Sequence, residues 1–194
     1  MALPVTFVAG DILEAAQLNS NFTYVEGLSG LTYITQATPS AVSSISINNC
    51  FSSTYDNYLV LFSPTSNSSA ATTGITMRLR VAGTDSSTNY VSERLFAEAG
   101  SVSGIANPNG TDEWIMSYCK SGANGQVSVR AELFKPFLAT PTGYIASAFG
   151  VDSSPFLTIN NGAHTASTSF DGFTVAVDVG TITGTIRVYG YQNS

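Results

Sequence analysis

Two hydrophobic periods divide this chain. From Ile12 to Glu26 there is neither Gly nor Pro, and Ala15, Leu18, Phe22 and Val25 recur at steps of three and four. That spacing lines one face of an α-helix. Asp11 stands in front of the stretch with Glu14 three residues on, the spacing of a capping box, and Gly27 follows as a stop. The stripe is narrow, closer to a coiled-coil seam than to a broad core-facing side. A lone helix of this length is marginal in water. The pattern therefore asks for a partner: the domain behind it, a copy of itself, or another protein.

From Leu31 onward the period is two. Ile45 and Ile47 alternate with serines within Val42 to Asn48, and Ile75, Met77, Leu79 and Val81 alternate with Thr76, Arg78 and Arg80. The same holds for Val127 to Leu133, for Phe173 to Val179, and for Ile182, Gly184, Ile186 and Val188 against Thr183, Thr185, Arg187 and Tyr189. These read as strands with one dry and one wet face. Asn57 to Phe62 and Trp114 to Tyr118 are more continuously apolar and read as strands covered on both sides, with Asn89 to Phe96 and Gly143 to Phe149 as weaker candidates. Turn formers crowd Ser63 to Gly74, Gly83 to Thr88, Gly100 to Gly110, Ser121 to Gly125 and Asp152 to Ala163, which are expected to be loops. About eight to ten short strands at this spacing predict a mainly β fold, an antiparallel β-sandwich preceded by a short N-terminal α-helix. The expected organisation is an anchor or oligomerisation segment over residues 1–30 and a sandwich domain over 31–194.

Composition narrows the functions available. Charged residues are 10% of the chain against an ordinary share of about 25%. The surface must then be built from Ser, Thr, Asn and Gly, a neutral and hydrogen-bonding covering suited to close contact. The net charge is −6, with no basic stripe for nucleic acid and no polybasic patch for a membrane. No apolar run approaches the roughly 18 residues needed to span a bilayer, and Met1 to Val5 lacks the pattern of a secretory leader. The expected place of synthesis is a cytoplasm. Cys50 and Cys119 match no zinc spacing and are expected to be buried thiols.

Candidate chemistry is thin. His164, the only histidine, lies in Asn161-Gly162-Ala163-His164-Thr165, an expected solvated loop, and no nucleophile elbow accompanies it. Asp85, Glu93, Glu98, Asp112, Glu113 and Glu132 are the carboxylates from which a glycosidase pair would have to come. Asp112 and Glu113 are adjacent, so on a strand they would point to opposite faces. Asp152 and Asp171 could hold calcium, but turn residues bonding their own backbone explain them as well. Arg78 and Arg80 share a strand face and are expected to pair across the sheet, with Glu93 and Glu132 as candidates. No catalytic residue, metal site or cofactor is expected. Tyr189 and Tyr191 share a face with Arg187, which leaves a subunit contact, a glycan platform or an ordinary half-wet sheet. Tyr55 and Tyr58 are expected to fill the sandwich with their hydroxyls at its rim.

Three stretches resemble known phage proteins. The opening from Phe7 to Phe22, with Ala9-Gly10-Asp11-Ile12 and Gln17-Leu18-Asn19-Ser20-Asn21-Phe22, resembles the N-terminal segment of phage tail-fibre and related virion proteins. Phe51-Ser52-Ser53-Thr54-Tyr55-Asp56-Asn57-Tyr58-Leu59-Val60-Leu61 looks like the first core strand of a jelly-roll family in phage appendages, and Gly184-Thr185-Ile186-Arg187-Val188-Tyr189-Gly190-Tyr191 like its closing strand. The resemblance implies a jelly roll and a non-enzymatic virion component, commonly a homotrimer. The expected role is a tail-fibre or host-adhesion protein, partnered by other virion proteins and by a host-surface glycan or protein receptor. A capsid decoration protein is the alternative, and a polysaccharide-degrading tailspike the remote one. Ala15, Leu18, Phe22 and Val25 are the expected anchor, and Arg187, Tyr189 and Tyr191 the expected interface.

Overall fold

The alternating stretches become two antiparallel sheets packed face to face. The computed structural model describes residues 3–12, 14–26, 30–69, 72–119, 126–151 and 154–193. A helix, α1 (Ala15–Glu26), precedes thirteen strands: β1 (Leu31–Ala37), β2 (Ser44–Ile47), β3 (Asn57–Asn67), β4 (Thr73–Val81), β5 (Thr84–Asp85), β6 (Tyr90–Glu98), β7 (Ser101–Thr111), β8 (Trp114–Cys119), β9 (Gln126–Phe134), β10 (Thr142–Val151), β11 (Pro155–His164), β12 (Gly172–Val177) and β13 (Ile182–Tyr191). The larger sheet has the order β1-β13-β3-β9-β10-β11-β6-β7. The smaller has β2-β12-β4, with β5 and β8 both paired to β4.

Setting aside β5, β6, β7, β10 and β11 leaves β1-β13-β3-β9 facing β2-β12-β4-β8. That is the strand order of an eight-stranded jelly roll. The two excursions between β4 and β8 and between β9 and β12 supply four strands that extend the larger sheet beyond β9. Phe51 to Leu61 therefore leads into β3, the third strand rather than the first. It pairs directly with the closing strand, Leu59 opposite Tyr189 and Tyr58 opposite Gly190.

The core follows the alternation. Ile75, Met77, Leu79, Phe173 and Val175 face Tyr58, Val60, Phe62, Val129, Ala131, Leu133, Ile186 and Val188. Trp114 stacks on Tyr144 with ring centroids 4.3 Å apart and takes the edge of Tyr90. The added strands are tied down by polar pins as well as by packing. Tyr144 donates its hydroxyl to the Ile115 carbonyl at 3.0 Å, Asn160 donates to the Met116 carbonyl at 2.9 Å, and the Arg94 guanidinium lies over the Tyr118 ring. Buried amide and phenol groups need such partners, and β8 supplies all three contacts.

Several expectations change. The helix starts at Ala15, not Ile12. Asp11 caps no helix: its carboxylate accepts from the Val8 amide at 2.9 Å while its own amide donates to the Val8 carbonyl. A short polar side chain closes a tight turn as readily as it caps a helix. Gly100 to Gly110 and Asp152 to Ala163, expected as loops, largely form β7 and β11. Val179 is exposed beyond the end of β12. Gly27 and Ser121 to Gly125 fall outside the described residues.

Candidate functional site

The outer faces of the two sheets are chemically opposite. On the smaller sheet, Arg80 donates to the Ser46 hydroxyl at 2.8 Å, the Thr174 hydroxyl at 2.6 Å and the Asn48 side chain at 3.0 Å, and pairs with Asp85. Arg78 contacts Asp112 at 2.6 Å and Glu113 at 3.2 Å. Each arginine is therefore paired within or beside its own sheet. Glu93 and Glu132 lie on the larger sheet, where Glu132 takes Arg130 at 2.6 Å. Asp112 and Glu113 reach one arginine because they sit in the bend before β8 rather than on a strand. Burial pushes the Glu113 carboxyl above its usual value, and Arg78 opposes that rise.

The outer face of the larger sheet is uncovered and, over its added strands, apolar. Strand pairing arranges it in rows. Phe149 lies beside Leu157, then Ala97, then Val102; Ser147 beside Ile159, Leu95 and Gly104; Ile145 beside Asn161, Glu93 and Ala106. Leu95, Val102, Ile145, Phe149, Leu157 and Ile159 are between 43% and 71% exposed. Near Gly143, which has no side chain to fill the surface, a depression of about 540 Å³ opens between Ile145, Ala163, Phe134 and Glu93. Water contact on this scale costs free energy roughly in proportion to apolar area, so such a face is ordinarily covered.

Across Arg130 on β9 the same face becomes aromatic and polar. Arg187 is exposed, with Leu61 and Gln36 as its strand neighbours; Tyr189 is flanked by Leu59 and Tyr33. Tyr33 and Tyr189 meet edge to face at 5.8 Å, and Tyr191 hydrogen-bonds Arg130. Tyr189, Tyr191 and Arg187 thus share one face as the alternation predicts, and Tyr33 joins them. Tyr58 is buried, its hydroxyl accepting from the Ser52 amide at 2.7 Å and donating to the Ser52 carbonyl at 2.9 Å.

At the other end of the chain, α1 has no substantial packing against either sheet. Its buried residue is Asn21, whose amide exchanges two hydrogen bonds with the Val5 backbone at 2.9 and 3.0 Å. Of the expected anchor, Leu18 is half-buried, while Ala15, Phe22 and Val25 face solvent. Val8 and Ile12 are exposed beside them.

The remaining candidates are structural. His164 is buried, not solvated: it ends β11, meets the rings of Tyr90 and Phe170 edge to face at 4.8 Å, and shares a hydrogen bond of 2.9 Å with the Ser86 hydroxyl. Burial lowers its pKa. Among the described residues no carboxylate is seen to orient the ring, so the pair lacks the third member of a triad. Asp171 accepts from the Ala82 amide at 2.8 Å, a long-range partner rather than its own turn backbone, and Asp152 lies outside the described residues. Among the described residues no three His, Cys, Asp or Glu side chains gather as metal ligands would, and no helix is long and apolar enough to cross a membrane. Cys50 and Cys119 are free and buried, and burial pushes the Cys50 thiol up to about 12.

The apolar rows are the feature that the alternation pattern hides. Thr158, Asn160 and His164 point inward on β11 while Leu157 and Ile159 point outward. On β10, apolar side chains occupy both faces, Tyr144, Ala146 and Ala148 within and Ile145 and Phe149 without. Strands apolar on both sides are normally covered on both sides, and that is the signal in Tyr144 to Phe149 that points to a missing cover.

No family model matches the chain, and no curated protein matches it. The solved CBM2 module of the evolved Dit of Lactobacillus casei BL23 phage J-1 aligns over 86% of this chain and 92% of that one, at 10% identity and a TM-score of 0.18. A likeness that slight carries no argument about this chain.

Proposed function

We propose that this chain is a non-enzymatic structural protein of a bacteriophage particle, a homotrimer that α1 anchors and whose sandwich projects as a tail-fibre or host-adhesion element. The observation that carries the reading is the uncovered stripe of Phe22 and Val25, both more than half exposed, at and just beyond the end of the segment that resembles phage virion proteins. An isolated twelve-residue helix with an apolar stripe in water is marginal. Docking on a larger assembly removes that cost and supplies the partner the stripe requires. The sandwich suits a passive role: Arg78, Arg80 and Arg130 are paired with nearby carboxylates, and its histidine is packed in aromatic rings. Affinity of such a part for a host surface comes from several weak contacts multiplied by symmetry rather than from one deep pocket.

Phage particles assembled with Phe22→Asp and Val25→Asp in place of the native residues test the anchor. Both side chains already touch water, so the change leaves the sandwich intact. Incorporation should fall at least about tenfold, the loss typical of a central interface side chain. Undiminished incorporation overturns the reading. Labelling the chain in intact particles locates it: signal at one vertex supports the tail assignment, and signal over the whole shell replaces it with capsid decoration.

A further inference from the structure

We infer that the aliphatic patch on β6, β7, β10 and β11 is the surface on which a second copy of this chain docks, an inference that rests on the self-association proposed above. The placement comes first. Leu95 lies on β6, Val102 on β7, Ile145 and Phe149 on β10, and Leu157 and Ile159 on β11. All six therefore sit on strands added to the jelly roll. The outer face of the smaller sheet is polar: Ser46 is exposed, Arg78 is half-exposed, and Arg80 lies over the Thr174 hydroxyl. A sheet face left to solvent can be built that way in this protein, and the added strands are not.

Area gives the second argument. At about 180 Å² for a whole large apolar residue, six side chains roughly half exposed leave about 550 Å² of apolar surface. A standard interface takes about 800 Å² from each partner, of which the core is about 65% apolar. The patch matches what one side of a stable interface needs.

The charge pattern gives the third. The rows of the patch hold no cation; their one charged group, Glu93, stands in the end row with Ile145, and the Arg130–Glu132 pair borders them on β9. An uncharged centre with a charged rim is the anatomy of a protein interface. Two copies of a chain with net charge −6 can approach through such a centre without opposing like charges. A lipid surface fits poorly, because the patch offers no Lys or Arg to meet headgroups. A saccharide fits poorly too: sugars stack on aromatic faces among convergent polar groups, and the rows hold one aromatic ring, Phe149, in a different row from Asn161 and Glu93.

The test is sedimentation of the full-length chain across a micromolar range. The wild type should assemble, and Phe149→Asp and Ile159→Lys should each weaken assembly at least about tenfold. Circular dichroism and the thermal midpoint report whether each variant is folded; Ile159→Lys on a second strand guards against a fold defect in the first. Ser44→Asp, exposed on the other sheet, should leave assembly unchanged. If both patch variants assemble as tightly as wild type while Tyr189→Asp or Phe22→Asp dissociates, this surface is wrong and self-association through another stands. A wild type that stays monomeric at every concentration overturns both. Binding to a glycan array or to vesicles by a monomeric chain, lost in Phe149→Asp, assigns the patch to that ligand and overturns the inference.

Discussion

His164 shows how far one side chain's role depends on its surroundings. The sequence around it is all turn formers, yet the ring is enclosed by Tyr90 and Phe170. Burial lowers its folded-state pKa below the unfolded value near 6.5. The unfolded chain then binds the proton more readily, so stability is full above about pH 6.5 and declines as pH falls toward the folded pKa. The thermal midpoint should therefore drop as pH falls below about 6.5, and His164→Phe should flatten that slope. An unchanged slope in the variant would assign the acid sensitivity to other groups. Tyr90, whose hydroxyl accepts from the Leu79 amide at 2.7 Å, is pushed by burial up to about 12 and stays neutral through the same range.

Among the elements, β11 was the least legible. Its sequence, Pro155 to His164, carries Asn160, Asn161 and Gly162, residues that favour turns when nothing else binds their backbone. In the sheet, β10 and β6 bind that backbone on both sides, and ladder hydrogen bonds outweigh a weak local preference. Gly162 has a steric reason to be there. A Cβ would run into the Val91 carbonyl oxygen on β6 and crowd Tyr144. Gly162→Ala should cost about 2–3 kcal/mol, read as a lower midpoint in denaturant at unchanged m-value. A loss within about 0.5 kcal/mol would mean that β6 shifts freely to make room. The helix was the reverse case: its stripe was legible, its start was not, because Asp11 and Val8 close a turn on themselves.

At the scale of the whole molecule, the two sheets divide the labour. The polar outer face of the smaller sheet satisfies itself with ion pairs and hydroxyls, whereas the larger sheet presents its uncovered aliphatic rows outward. The assembly proposed through those rows would be hydrophobic in origin. Its equilibrium constant should change by less than about threefold between low and moderately high salt, since screening acts on charges and not on apolar burial. Cooling should weaken it, because the apolar driving force fades at low temperature. A steep salt dependence in sedimentation would point instead to the Arg130 and Arg187 half of the face.

Local chemistry determined the class of this protein. Alternating Ile75, Met77 and Leu79, Val127 to Leu133 and Ile182 to Val188 can bury one side only as strands, so a β-sandwich behind a short striped helix was already written in their spacing. The face shared by Arg187, Tyr189 and Tyr191 followed from the same rule. What only the tertiary structure decided was which strands became neighbours. Pairing of β10 with β11 and of β11 with β6 brings Phe149, Ile159 and Leu95, distant in the chain, onto one uncovered surface. Period two tells which residues share a side of their own strand; hydrogen bonds between strands tell which sides join, and those bonds carry no mark in the side-chain pattern.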